Sequence, residues 1–117
     1  MHNFKELKVW KAGIEIVKTI FVLTKTFPSE EKFGLISQMT RSAISIPSNI
    51  AEGCGRKSNK ELHQFLNIAL GSSFELETQI IIAKEFNYIT EDRSDTICAA
   101  IVEIQKMITG LQKSLNL

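Results

Sequence analysis

At 117 residues, with 44% hydrophobic and 23% charged side chains, the chain has the composition of one globular domain and lacks the length for two. A chain of this size buries roughly two thirds of its unfolded surface, so it needs neither a disulfide framework nor a structural metal. Cys54 and Cys98 have neither C-x-x-C spacing nor a histidine cluster, no uncharged run reaches the roughly 18 residues of a membrane span, and MHNFKELKVWKAG lacks a signal peptide's apolar core; a cytoplasmic protein with reduced thiols is expected.

Apolar residues recur at helical spacing nearly throughout. In the first segment Trp10, Ile14, Val17, Phe21 and Thr24 share a stripe, which Ile16, Ile20, Leu23 and Phe27 widen to half the circumference. This predicts a helix over about 7–26, with Trp10 and Phe21 toward the core and Pro28 ending it. Ile36, Met39, Ala43, Ile46 and Ile50 form the seam of a second helix, about 35–52. The seam continues past Pro47, so the helix is expected to survive there with a kink, and Gly53 is expected as its left-handed cap.

Ser58-Asn59-Lys60-Glu61 reads as a capping box opening a third helix, about 59–87, on the seam Leu62, Leu66, Ala69, Ser73, Leu76, Ile80 and Ala83. Thr90 caps a fourth, about 92–115, carrying Ile97, Ile101, Ile104, Ile108, Leu111 and Leu115. Short connections make consecutive helices antiparallel neighbours. The expected fold is all-α: an up-down-up-down four-helix bundle filling residues 1–117.

Several residues are surplus to such a bundle. Leu70, Phe74 and Ile81 make a second apolar stripe on the third helix, which predicts a homo-oligomer interface. Lys11, Lys18, Lys25 and Lys32 recur every seven residues, a row that either contacts phosphates or solvates the helix edge, with Glu15 in pairing reach of Lys11 and Lys18. Charge is divided along the chain: residues 1–60 hold ten basic and five acidic side chains, and residues 61–117 hold four and eight. That division permits head-to-tail self-association or an anionic partner.

Arg41, Ser45, Ser48 and Glu52, with Asn49 adjacent, form a polar stripe beside the second seam. Ser45 lacks a histidine base, since His2 is terminal and His63 lies early in the third helix. A structural role fits better, with Arg41 expected to pair with Glu75 or Glu77 across the antiparallel third helix. Neither histidine follows a glutamate by three residues, which argues against a carboxylate-bundle metal centre. GCGR lacks both the preceding strand and the G-K-[ST] ending of a phosphate loop.

FKELKVW, FPSEEKFGLISQMTRSAISIPSNIAEGCGR (27–56) and FLNIALGSSFELETQIIIA (65–83) resemble the bacterial four-helix-bundle family of 23S rRNA intervening-sequence proteins, over nearly the whole chain. That family takes its name from members encoded in segments inserted in large ribosomal RNA. Its relatives include the accessory protein of diversity-generating retroelements, a pentameric bundle with a basic surface that partners a reverse transcriptase and nucleic acid. The resemblance implies a homopentameric ring with no established catalysis and no cofactor. Arg41, Ser45, Pro47, Asn49, Glu52, Gly53, Arg56, Gly71, Ser72, Glu75 and Glu77 occupy its motif positions. The expected function is a non-enzymatic oligomeric module for structured RNA or an RNA-handling protein, with Lys11, Lys18, Lys25, Lys32, Arg56, Lys57 and Lys60 as nucleic-acid contacts. The alternative is a protein scaffold with no nucleic-acid role.

Overall fold

The computed structural model describes residues 3–117, so His2 lies outside the described residues. Four helices make up the protein: α1 (Lys8–Thr24), α2 (Leu35–Cys54), α3 (Asn59–Glu85) and α4 (Glu91–Ser114). Single 3-10 turns at Phe4–Glu6 and Ser29–Glu31 precede α1 and α2, and no strand occurs among the described residues. Each helix packs on its neighbours in sequence, and α4 returns to α1 through a thinner seam. The chain therefore runs round a square, as an all-α antiparallel four-helix bundle 44 Å long and 25 × 20 Å across.

The expected seams meet on its axis. Ile20, Met39, Ile46, Leu66, Ile80 and Ile104 are completely buried, each contributing about 1.5–3 kcal/mol by leaving water. Helix ends are set locally. The Ser58 hydroxyl accepts from Glu61 N–H at 3.2 Å and donates to the Glu61 carboxylate at 3.2 Å, while Thr90 Oγ1 accepts from Arg93 N–H at 3.1 Å. At the other end of α3, Asn87 adopts φ 61°, with Tyr88 N–H donating to Ala83 O and Asn87 N–H to Lys84 O, both at 2.9 Å. That pair of bonds is the Schellman closure, with asparagine where glycine is commonest.

Two expectations are corrected. Gly53 does not cap α2, because the helix continues through it to Cys54 and no described glycine has a positive φ. The residue is glycine because α3 comes too close for a side chain: a Cβ there would stand 2.8 Å from both Leu62 Cδ1 and Phe65 Cβ. Phe21 is 43% exposed on the outward side of α1 and Trp10 is only half-buried, because Val9, Gly13, Ile16 and Ile20 supply the core-facing edge. Pro47 lies inside α2 and is buried against Gly13, where a Cβ would meet Pro47 Cβ at 3.2 Å. A missing side chain on α1 thus faces the residue that lacks a ladder N–H on α2.

Candidate functional site

The polar stripe of α2 divides into two parts. Its inner part is a closed bridge to α3: Ser45 Oγ and Ser72 Oγ are 2.7 Å apart, and Asn49 Nδ2 donates to Ser45 O at 2.8 Å and Ser45 Oγ at 2.9 Å. Small residues at this level let the helices approach, and the polar groups they bring satisfy one another. His63 lies nine residues before Ser72 on α3, about 13 Å along the axis, so it cannot serve Ser45 as a base. The three side chains tie α2 to α3, and among the described residues no histidine stands beside the Ser45 hydroxyl.

The outer part faces solvent. Glu52 pairs with Arg56 at 3.0 Å, and the Arg56 guanidinium lies 4.8 Å from the Phe65 ring centroid. Arg41 is exposed and makes no ion pair among the described residues, so its expected pairing with Glu75 or Glu77 is not formed. The register is as expected, since Ser45 opposite Ser72 brings Arg41 level with Leu76. Glu77 instead accepts from Gln105 Nε2 of α4 at 2.9 Å, and Glu75 is solvated. A hydrated arginine gains little from an exposed partner.

The described residues hold no cluster of three or more metal-ligating side chains. Cys54 and Cys98 are both free, and burial raises both thiols above their ordinary range, which disfavours the reactive thiolate.

Cations gather at one end of the bundle. The up-down topology brings together the start of α1, the α2–α3 turn and the end of α4, where Asn59 Nδ2 donates to Asn116 O at 3.2 Å. Lys5, Lys8, Arg56, Lys57, Lys60 and Lys113 are all exposed there. Of the acidic residues at this end, Glu52 is held by Arg56, Glu61 serves the α3 cap, and Glu6 is exposed between Lys5 and Lys8. Lys5, Lys8 and Lys113 are absent from the sequence-based set, because they are remote in the chain and only the topology unites them. The opposite end is mixed, with Glu30, Glu85, Glu91, Asp92 and Asp95 beside Lys25, Lys32 and Arg93, all exposed.

The lysine row is shorter than its spacing suggests. Lys11, Lys18 and Lys25 follow the outward side of α1, but the helix stops at Thr24 and Lys32 leaves the register, lying 5.5 Å from the Phe33 ring centroid. Among the described residues Glu15 pairs with Lys18, at 3.1 Å, and not with Lys11.

On α3, Phe74 and Ile81 are 50% and 43% exposed, while Leu70 is half-buried. Ile68 and Ile82 are also exposed, but they lie round α3 on its α2 side, where Ile82 shares a groove with Gln38 and Glu75. The seam-based reading missed them because neither belongs to either counted stripe. A second apolar groove lies between α1 and α2, lined by Phe4, Trp10, Ile14, Val17, Ile44 and Ala51.

The family described as 23S rRNA-intervening sequence protein matches residues 5–110 of the chain. The fold is similar to the crystal structure of a protein of unknown function from the S23 ribosomal protein family of Bacteroides thetaiotaomicron. Identity is 30%, the TM-score is 0.84, and the match covers 91% of this chain and 99% of the other. No curated protein matches the chain.

Proposed function

The chain belongs to the 23S rRNA-intervening sequence protein family, and from that premise we propose that it is a non-enzymatic, homo-oligomeric module that holds structured RNA at its basic end. The observation that carries this reading is the convergence of six exposed cations, Lys5, Lys8, Arg56, Lys57, Lys60 and Lys113, at one end of the bundle. Phosphate recognition needs clustered charge rather than net charge, so a chain of formal charge +1 can still bind RNA through one end. In a ring whose axis follows the bundles, pentameric as the family resemblance implies, every basic end lies on one rim. Weak individual contacts then act together. The closed Ser45–Asn49–Ser72 bridge supports a role without catalysis.

Binding to a structured RNA across a salt series tests the proposal. Affinity is expected to fall steeply with salt, and Lys57→Gln/Lys60→Gln/Lys113→Gln is expected to weaken binding and flatten the log–log slope by about 2. Absence of binding at low salt overturns the RNA reading and leaves a protein scaffold, which the exposed apolar face of α3 favours.

A further inference from the structure

We infer that an unpaired RNA strand leaving the basic end follows the face between α1 and α2, its bases against Trp10 and Phe21 and its phosphates on Lys11, Lys18 and Lys25. The inference rests on the RNA reading above and specifies which kind of strand this further surface takes.

Helical periodicity alone puts Trp10 and Phe21 in the core, which would leave the lysine row without aromatic neighbours. The structure places them otherwise: Trp10 is half-buried and Phe21 is 43% exposed. Trp10, Ile14 and Val17 form the α1 side of the open groove, Ile44 and Ala51 form its α2 side, and Phe21 follows Val17 by one turn. Trp10 and Phe21 are thus about 16 Å apart along one stripe. Lys11 and Lys18 each follow a groove residue by one position, which turns the row about 100° from the stripe, away from the core. Lys11, Lys18 and Lys25 therefore flank the groove along its length, all exposed. The contact of Gly13 with Pro47 sets the register of the antiparallel pair. Six residues further along each helix, the exposed Arg41 comes level with Thr19, across the groove from Lys18.

This face is continuous with the basic end. Phe4 and Trp10, with ring centroids 5.3 Å apart, line the groove there, and Lys5 Nζ lies 5.9 Å from the Phe4 centroid. Ser48 and Ala51 border both the groove and the adjoining depression beside Arg56. The acids along the path are few: Glu6 is exposed, Glu15 pairs with Lys18, and Glu52 pairs with Arg56. Exposed pairs of this kind hold their partners weakly, so a phosphate can replace either carboxylate. Aromatic side chains beside a cationic row suit unpaired nucleotides, because paired bases hide their faces in the stack. An acidic protein segment could also use the lysines and the groove, but the continuity with the basic end favours RNA.

Binding of the full chain to an RNA hairpin, with and without a short tail of unpaired uridines, tests this. The tail is expected to tighten binding about fivefold or more, and the same tail built from abasic nucleotides, which keeps the phosphates, to recover only a small part of that gain. Phe21→Leu alters an exposed residue and keeps its apolar character; it should lower the gain from the tail and leave hairpin affinity unchanged. Lys11→Gln/Lys18→Gln/Lys25→Gln should do the same and flatten the salt slope of the tailed RNA by about 2. Circular dichroism confirms the helices in each variant. A gain that survives in both variants, or that the abasic tail gives in full, overturns the inference. If the hairpin binds and the tail adds nothing, the inference fails while the RNA reading stands, and the groove is left to a protein partner. If neither RNA binds at low salt, both fail.

Discussion

At Gly53 the limit is steric. Gly53→Ala puts a methyl group 2.8 Å from Leu62 Cδ1 and Phe65 Cβ, so α2 and α3 must part or repack. A loss of about 1–3 kcal/mol is expected, read as a lower urea midpoint at unchanged slope. Gly55→Ala is the matched control, since Gly55 is already right-handed at φ −82° and its added Cβ has nothing nearer than Glu52 O at 3.5 Å. Its midpoint should stay within about 0.5 kcal/mol of the parent. A glycine near a helix end reads as a left-handed cap because that is its commonest use. What identifies Gly53 as a contact residue is Leu62 and Phe65 on another helix, which no local pattern exposes. The left-handed position is Asn87, and there the sequence carried no glycine to announce it.

For whole elements, period is legible and outward decoration is not. The seams of α2, α3 and α4 stand out in the sequence because each core position repeats at 3 or 4 residues, and the connections are too short for other topologies. Arg41, Ile68 and Ile82 escape that logic, since an outward side chain takes its partner from whichever surface arrives. One tie between elements is also invisible at sequence level. Glu31 Oε1 accepts from Leu35 N–H at 3.2 Å, capping α2, while Glu31 Oε2 accepts from Tyr88 OH at 2.8 Å. This carboxylate joins the α1–α2 turn to the α3–α4 turn. The bond to Glu31, then burial, raises Tyr88 above its ordinary value near 10. The fold thus favours the neutral phenol, a contribution intact below about pH 10 and lost as pH rises through the raised folded value. Tyr88→Phe should lower the urea midpoint at about pH 8 and make the decline toward about pH 11 shallower than in the parent. Tyr88 is the only tyrosine, so phenolate absorbance follows this group alone. Equal declines in the two proteins would show that the clasp does not couple to folding.

For the whole molecule, topology turns one linear charge division into two spatial ones. Sequence halves become opposite layers because neighbours in the chain are neighbours in the square. Residues from both halves also meet at the ends, where Lys5, Lys60 and Lys113 converge despite their separation in the chain. The first division was legible as a count, whereas the second required knowing that the helices alternate in direction. Trp10 is placed to report on whatever covers the groove between α1 and α2. It is the only tryptophan, packed edge-on against Phe4 at 5.3 Å and lining the groove between α1 and α2. The protein therefore carries a native optical reporter in that groove: if homo-oligomer assembly covers it, the emission should shift to shorter wavelength, and dilution should reverse the shift. A spectrum unchanged by dilution while the mass falls would place the joint elsewhere, so one unlabelled side chain can follow assembly in real time.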